Sequence, residues 1–297
     1  MNGILNVLKP PGMTSHNVVA YIKRILNVDK VGHTGTLDPG AAGVLPICIG
    51  RATRISEYLL NDKKTYRAEL QIGFKSDTLD KYGIIEKVPV PVISEENIYS
   101  AFEKFKGRIE QLPPMFSAVK HNGKRLYSLA REGIVVDRKI RDAYIYSINI
   151  LNIYNEKVLF DVTCSKGTYI RTLCSDIGKL LHSDAIMTFL LRTKTGPFEI
   201  KNSVTLDELR CIVENNDIDS ILHPIEAGLS GYSRIKVNNF ISQKVKNGVP
   251  FKIESYMDYE LKDNDSSILI FDDSNSFIAI GKKYEVNDYI KVDKVFV

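Results

Sequence analysis

Alternation between apolar and polar positions predicts strands at several places along the chain. From Tyr66 to Ile72 every second residue is apolar, and the residues between them are polar. A period of two is typical of a strand with one buried face. Weaker alternation over residues 2–8 and consecutive strand-like runs across residues 139–164 extend the pattern. The chain therefore supplies several strands to a sheet, with Tyr66 on the apolar side of its strand.

Apolar residues at helical spacing predict helices between these strands. One helix follows Thr14 or Ser15, either of which can cap it, and another begins at Ser94 with Gly107 placed to end it. A third has Arg171 near its start. Because several strands follow one another directly, the order predicts an α+β fold with a mixed, largely antiparallel central sheet flanked by helices.

The pattern changes near residue 230. Helical signals end at about Leu229, and Ser230-Gly231 has the composition of a hinge. The short strand-like runs that follow span residues 268–271, 277–280 and 289–297. We therefore predict a large domain over residues 1–230 and a small all-β domain over residues 231–297.

Composition then narrows the class of protein. The 297 residues are 44% hydrophobic and 26% charged, which indicates a folded globular chain. No apolar run approaches the roughly 20 residues that cross a bilayer, and the first residues lack a secretion signal. We expect a cytoplasmic protein with no membrane association. Four cysteines without a Cys-x-x-Cys pair and five scattered histidines predict neither a disulfide framework nor a metal site.

A glycine-rich turn ahead of an apolar strand contains one carboxylate, Asp38. The turn runs from Gly32 to Gly40 and the strand follows to Gly50. Pro39 favours extended backbone at Asp38, so helix capping does not explain this aspartate. Local sequence leaves two alternatives open, an ordinary turn aspartate and a reactive one.

This turn is the first motif of an ordered set. The other motifs are Tyr66-Arg67, Asp77-Thr78-Leu79-Asp80, Lys166-Gly167-Thr168-Tyr169-Ile170-Arg171 and Leu190-Leu191-Arg192. The set resembles the TruB family, the bacterial tRNA pseudouridine-55 synthases. The resemblance covers Lys9 to about Phe198, and the tail is more weakly similar to the family's small PUA-type domain. It implies the pseudouridine synthase fold and the isomerisation of uridine 55 in the T loop of tRNA, without a cofactor or metal.

The resemblance implies three catalytic roles. Asp38 is the nucleophile, Tyr66 stacks on the target base, and Arg171 pairs with Asp38. A carboxylate can attack the ribose C1′ or the uracil C6, or stabilise positive charge at C1′, and each role needs it ionised. A nearby arginine typically lowers the pKa of an aspartate by roughly 1 to 3 units and fixes its direction. The alternatives are a structural ion pair and a tyrosine that packs in the core.

The resemblance also implies contacts with the substrate. His33 is similar to a histidine that enters the RNA where the base departs, and a turn histidine bonded to the backbone is the alternative. Tyr169 and Leu190 match positions that line the uracil pocket, although both can be core residues. Asp80, in the third motif, is a further substrate-binding candidate.

Positive charge is concentrated in one segment although the net charge is only +4. Between Lys120 and Arg141, seven basic residues face two acidic ones. We predict phosphate contacts for Lys9, Lys120, Lys124 and Arg125, with a solvated surface as the alternative.

The expected partner is therefore the T stem-loop of tRNA, and the expected state is a monomer without an obligatory protein partner. An RNA-folding chaperone and a guide-RNA-dependent synthase that acts within a complex are the competing functions.

Overall fold

The computed structural model describes residues 1–253, 258–260, 267–284 and 289–296. Its helices are α1 (Ser15–Leu26), α2 (Ser56–Leu60), α3 (Glu95–Glu103), α4 (Leu126–Arg131), α5 (Ile170–Leu180), α6 (Leu206–Glu214) and α7 (Asn239–Lys246). Its strands are β1 (Gly3–Lys9), β2 (Val31–His33), β3 (Ala42–Ile49), β4 (Lys64–Ile72), β5 (Phe74–Ser76), β6 (Ile85–Lys87), β7 (Gly107–Gln111), β8 (Lys120–His121), β9 (Lys124–Arg125), β10 (Arg141–Tyr154), β11 (Lys157–Cys164), β12 (Ala185–Thr195), β13 (Phe198–Glu199), β14 (Leu222–His223), β15 (Ser233–Lys236), β16 (Phe251–Lys252), β17 (Tyr259–Glu260), β18 (Ser267–Phe271), β19 (Phe277–Lys283) and β20 (Tyr289–Val295).

The large sheet has the order β14-β1-β3-β12-β4-β11-β10-β7, with β2 also beside β3 and β13 beside β12. The contact between β3 and β12 is parallel and involves two residue pairs, Ala42 with Leu191 and Gly43 with Arg192. The other strand pairs described in this sheet are antiparallel. The predicted mixed, largely antiparallel sheet is confirmed.

One face of the sheet carries the core beside the predicted site. On β4, Ala68, Leu70 and Ile72 are buried, as the alternation predicts. Helix α5 packs against these strands through Leu173 and Ile177. Removing such side chains from water contributes roughly 1.5 to 3 kcal/mol each, so this contact fixes α5 and the residues at its start against the sheet.

The predicted starts of helices α1 and α3 are confirmed, whereas the predicted end of α3 is wrong. Thr14 caps α1 by accepting the N–H of Asn17, and Ser94 caps α3 by accepting the N–H of Asn97. Helix α3 ends at Glu103, however, and not at Gly107. A turn bonded from Phe105 N–H to Phe102 C=O follows, and Gly107, with a φ of +94°, starts β7.

The tail forms a second sheet with the order β16-β20-β19-β18-β15-β17. The predicted strands appear as β18, β19 and β20, although Val297 lies outside the described residues. Helix α7 accompanies this sheet and was not predicted. It is only eight residues long, and its apolar contact with the sheet depends on Ile241 and Val245, too short a pattern to identify a helix. Across the described residues no helix has the length and apolar character to cross a membrane.

Apolar residues of the tail and of residues 1–230 share one core. Phe271 and Phe296 pack in the same cluster as Ile55 and Leu229. Across this contact the guanidinium of Arg51 donates to the carbonyl of Phe296 at 2.9 Å. The division at residues 230 and 231 stays a prediction, since burial continues across it.

Candidate active site

Asp38 and Arg171 form a two-point ion pair. Nε of Arg171 lies 3.0 Å from Oδ2 of Asp38, and Nη2 lies 3.4 Å from Oδ1. Asp38 belongs to the loop before β3, and Arg171 is the second residue of α5. The side chain of Arg171 is 6% exposed, whereas that of Asp38 is 39% exposed. The pair thus fixes the carboxylate from the protein side and leaves part of it open to a ligand.

Further contacts fix the direction of the Arg171 guanidinium. It donates to the carbonyl of Thr78 at 3.1 Å and to that of Phe116 at 2.8 Å. Oδ2 of Asp80 lies 3.8 Å from its Nε. Three chain segments and two carboxylates therefore meet at one arginine.

Asp80 is buried and its oxygens are used within the protein. Its Oδ1 accepts the hydroxyl of Thr78 at 2.6 Å and the N–H of Tyr82 at 2.9 Å, and its Oδ2 faces Arg171. This geometry does not fit the substrate contact that the sequence suggested, because the carboxylate turns away from solvent. Asp80 acts on the site by holding Arg171.

The pKa of Asp38 is raised above its ordinary value. Burial is the largest cause, and the charge of Asp80 adds to it, whereas Arg171 and Lys9 act in the opposite direction. The lowered pKa expected from the sequence took account of Arg171 alone, and its direction is opposite to the one observed. Protein atoms surround the carboxylate closely enough to remove much of its hydration although its side chain keeps an open side.

Lys9 is not on the surface. Its side chain is 0% exposed, and its ammonium donates to the carbonyls of Pro10 at 2.8 Å, Pro39 at 3.3 Å and Ala41 at 2.7 Å. Burial lowers the pKa of Lys9 to about 8. The predicted phosphate contact of Lys9 is therefore wrong: the buried amine holds the chain directly after Asp38, at Pro39 and Ala41, and cannot reach an RNA backbone.

Arg192 is a second buried cation beneath the same loop. Its side chain is 1% exposed and donates to the carbonyls of Val44 at 2.7 Å, Gly35 at 3.1 Å and Thr36 at 3.5 Å. Gly43 has a φ of +125°, and a Cβ there would lie 2.2 Å from the carbonyl oxygen of Arg192. Together with Lys9, Arg192 satisfies most of the carbonyls around Asp38.

Arg192 has no role among the predictions made from the sequence. A signal was present, since alternation places Arg192 on the same inward face of β12 as Leu190. An arginine at an inward strand position requires buried acceptors. Those acceptors lie in β3 and in the loop before it, about 150 residues earlier in the chain, which the local pattern does not show.

The predicted base-contacting residues lie against one apolar cluster. Tyr66 packs on a core that contains Leu37, Leu190 and Ile170. Tyr169 precedes Ile170, and its N–H donates to Oε1 of Gln111 at 2.9 Å. Burial raises the pKa of the Tyr66 hydroxyl, and the nearby Arg192 guanidinium partly opposes this shift. Tyr66 and Leu190 pack in the same cluster as Leu37, which lies in the loop of residues 34–41, called the catalytic loop after the role predicted for Asp38. The contacts of Tyr66, Tyr169 and Leu190 with a base stay predictions.

His33 ends β2 and is half-buried. Its Nδ1 accepts the N–H of Gly35 at 3.2 Å, and burial lowers its pKa. This contact fits the backbone-bonded turn histidine, and the entry of His33 into RNA stays a prediction.

The basic residues Lys120, Lys124 and Arg125 are exposed on the β8–β9 hairpin. The chain enters this hairpin four residues after Phe116, whose carbonyl binds Arg171. The hairpin is thus anchored next to the site.

A cavity of about 470 Å³ lies elsewhere in the structure. It is lined by Glu69, Lys157, Thr188 and Phe189 among others and includes none of the predicted site residues. The carboxylate of Glu69 accepts hydrogen bonds from Nζ of Lys157 at 3.0 Å and from the hydroxyls of Tyr154 and Thr188. Among the described residues no group of three or more His, Cys, Asp or Glu side chains could hold a metal ion.

Two family sequence models match the chain. The TruB family pseudouridylate synthase N-terminal domain matches residues 23–170, and the tRNA pseudouridylate synthase B C-terminal domain matches residues 171–230. The two matches meet at Arg171, so the predicted catalytic residues lie within the matched region.

Curated relatives align over most or all of the chain. A tRNA pseudouridine synthase B from Alkaliphilus oremlandii is 50% identical over 248 residues, which are 84% of this chain and 82% of the relative. A tRNA pseudouridine synthase B from Clostridium kluyveri is 44% identical over 297 residues and covers 100% of both chains.

A solved structure described as a Cbf5-Nop10-Gar1 complex contains a chain with a TM-score of 0.78 and 31% identity, covering 99% of this chain and 85% of that one. A second, described as an H/ACA RNP bound to a substrate RNA containing 2′-deoxyuridine, has a TM-score of 0.77 and 28% identity, with 99% and 85% coverage. Because both family models match and the curated relatives are 44% and 50% identical, the chain belongs to the TruB family of pseudouridylate synthases.

Proposed function

We propose that this enzyme isomerises uridine 55 in the T loop of tRNA, with Asp38 as the nucleophile. The observation that carries the proposal is the two-point pair between Asp38 and Arg171. The printed names of the relatives, tRNA pseudouridine synthase B, support tRNA as the substrate. The T-loop position rests on the motif resemblance.

The reaction moves uracil from an N1 to a C5 glycosidic bond. The N1–C1′ bond breaks, the base rotates, the C5–C1′ bond forms, and the C5 proton is lost while N1 gains one. Asp38 can attack the ribose C1′ or the uracil C6, and either route uses its ionised form. Arg171 orients the carboxylate, and Lys9 and Arg192 hold the loop around it. Pre-set geometry of this kind lowers the barrier because the reacting groups need little reorganisation.

Base extrusion gives Tyr66 its proposed role. A base within folded RNA must leave its stack at a cost of a few kcal/mol. Stacking on an aromatic side chain returns roughly 1 to 3 kcal/mol per base. The Tyr66 ring already packs beside Leu190 and the catalytic loop, so it can receive a uracil without a large movement of the core.

The direct test is turnover of unmodified tRNA and of a T-arm minihelix by the purified chain. We expect one pseudouridine per RNA, at position 55, and none when that uridine is replaced by cytidine. Product at another position, or none in either RNA, would overturn the proposal.

The raised pKa of Asp38 predicts the acid side of the pH profile. Because Asp38 acts as the ionised carboxylate, kcat/KM should fall as pH drops through its pKa, which lies above the ordinary 3.8. Asp80→Asn keeps an acceptor for Thr78 and Tyr82 but removes a negative charge that raises this pKa. The acid limb should therefore move to lower pH. A shift to higher pH would show that Asp80 acts on Asp38 in another way.

The β8–β9 hairpin predicts how RNA affinity depends on salt. Each lost phosphate contact should reduce the slope of log affinity against log salt by about 0.7 to 0.9. Replacing Lys124 and Arg125 together by alanine should weaken minihelix binding and flatten this slope. Replacing two exposed lysines outside the hairpin, Lys87 and Lys104, serves as the control. Equal slopes for both double variants would show that Lys124 and Arg125 do not contact phosphate.

We further propose that the chain acts as a monomer without a protein partner, although the structural neighbour named above is part of a Cbf5-Nop10-Gar1 complex. Turnover by the purified chain, together with its molar mass in solution, tests this. A folding-chaperone role is separate: it predicts that an inactive Asp38 variant still accelerates tRNA folding.

A further inference from the structure

The segment after Asp80 places an exposed aromatic ring on the catalytic loop. Tyr82 is 62% exposed, and its hydroxyl donates to the carbonyl of Gly40 at 3.3 Å. A Cβ on Gly40 would lie 2.1 Å from Cε2 of Tyr82, so the ring rests directly on the glycine. Gly40 lies two positions after Asp38, and two residues span at most about 7 Å.

The ring is held at its backbone as well as at its hydroxyl. The N–H of Tyr82 donates to Oδ1 of Asp80 at 2.9 Å, and the N–H of Lys81 donates to the carbonyl of Met187 at 3.1 Å. Asp80 in turn faces Arg171, which pairs with Asp38. The ring position is therefore tied to the same network that orients the nucleophile.

A positive charge accompanies the ring. Nζ of Lys81 lies 5.4 Å from the centroid of the Tyr82 ring. An aromatic face with an adjacent cation suits a nucleotide, because the base stacks on the ring and the phosphate meets the ammonium. The two-ended support of the ring lowers the entropy lost when a base stacks on it.

We propose that Tyr82 and Lys81 bind a nucleotide next to the everted uridine, with its base stacked on Tyr82 and its phosphate near Lys81. This inference rests on the proposed function and specifies which part of the RNA the rim of that site contacts. Tyr82 is then a positioning residue for the substrate, distinct from Tyr66, which receives the target base itself.

The test measures binding of T-arm minihelices to the Asp38→Asn protein, so that turnover does not change the RNA. In this background Tyr82→Ala should weaken binding of the unmodified minihelix about 5- to 150-fold, and Tyr82→Phe much less, because the ring remains. Tyr99, which is 50% exposed on α3, provides the control as Tyr99→Ala and should leave affinity unchanged.

Abasic RNAs then locate the contact. Minihelices that lack one base at a time on either side of the target uridine are bound to both proteins. At one such position the difference between Tyr82 and Tyr82→Ala should vanish, because the stacked base is already missing. Lys81→Gln should reduce the salt slope by about 1 without changing the abasic pattern.

Three results separate the hypotheses. If Tyr82→Ala binds the unmodified RNA as tightly as its parent, or loses the same factor with every abasic RNA, the inference is wrong. If Tyr82→Ala in the active protein lowers kcat at constant KM, the ring is only a support for the catalytic loop. If the Asp38→Asn protein with Tyr82 intact binds no minihelix, the proposed function is wrong, and the inference that rests on it is wrong as well.

Discussion

Asp38→Asn should reduce pseudouridine formation by at least about a thousandfold, the scale on which removal of an enzymatic nucleophile acts. The amide has nearly the same shape, so it can still accept a hydrogen bond from Arg171, which lies 3.0 Å from the carboxylate. It cannot form the covalent adduct, and it carries no negative charge to stabilise C1′. Folding and RNA binding should persist, since the loop is held mainly through its backbone carbonyls.

The measurement is single-turnover pseudouridine formation with saturating enzyme, which removes product release from the rate. Asp161→Asn is the matched control, because Asp161 also forms a two-point pair with an arginine, Arg67, with both contacts at 2.9 Å and both side chains partly exposed. That variant should turn over RNA normally. Normal turnover by Asp38→Asn would refute the nucleophile assignment.

Arg192→Met should cost both stability and turnover. Methionine fills much of the volume but leaves the carbonyls of Gly35, Thr36 and Val44 without their donor. An unsatisfied buried group costs about 1 to 3 kcal/mol, so a loss of about 3 kcal/mol or more in the free energy of unfolding is expected. If the loop shifts and displaces Asp38 by 1 Å, the reaction rate can fall about a hundredfold, and this decrease should appear in kcat.

Urea unfolding and steady-state kinetics at a temperature where the variant is folded check the two parts separately. Lys194→Met is the control, since Lys194 lies two residues along β12 with a partly exposed side chain paired with Glu199 at 2.7 Å. The free energy of unfolding of the Lys194→Met variant should change by no more than about 0.5 kcal/mol. Unchanged stability and kcat in Arg192→Met would show that the loop keeps its geometry without the guanidinium.

Local patterns were sufficient for much of the fold. Alternation at β4 identified the buried face because a period of two follows directly from strand geometry, and Thr14 and Ser94 identified helix starts because capping is a local contact. The end of α3 and the presence of α7 were missed. Helix α3 ends in a turn four residues before Gly107, and α7 is too short for its two apolar contacts to produce a helical pattern.

For the site, the ion pair between Asp38 and Arg171 could be predicted from the sequence, but the burial and the neighbouring charges of its members could not. The pairing of Asp38 with Arg171 came from motif resemblance. The direction of the Asp38 pKa shift was wrong, because it depends on burial and on Asp80 as well as on the arginine. Lys9 was predicted to contact phosphate, whereas the folded chain buries its amine against the carbonyls of Pro39 and Ala41, which lie about 30 positions later in the sequence.

The short parallel contact between β3 and β12 has a consequence for assembly. It joins two groups of antiparallel strands through two residue pairs that are about 150 positions apart in the chain, and Arg192 is in one of those pairs. Hairpins such as β10–β11 can form from neighbouring residues, whereas this junction requires closure of a very long loop. The loop around Asp38 gains its hydrogen bonds from Arg192 only once the two groups have joined, so the geometry proposed for catalysis should form late in folding.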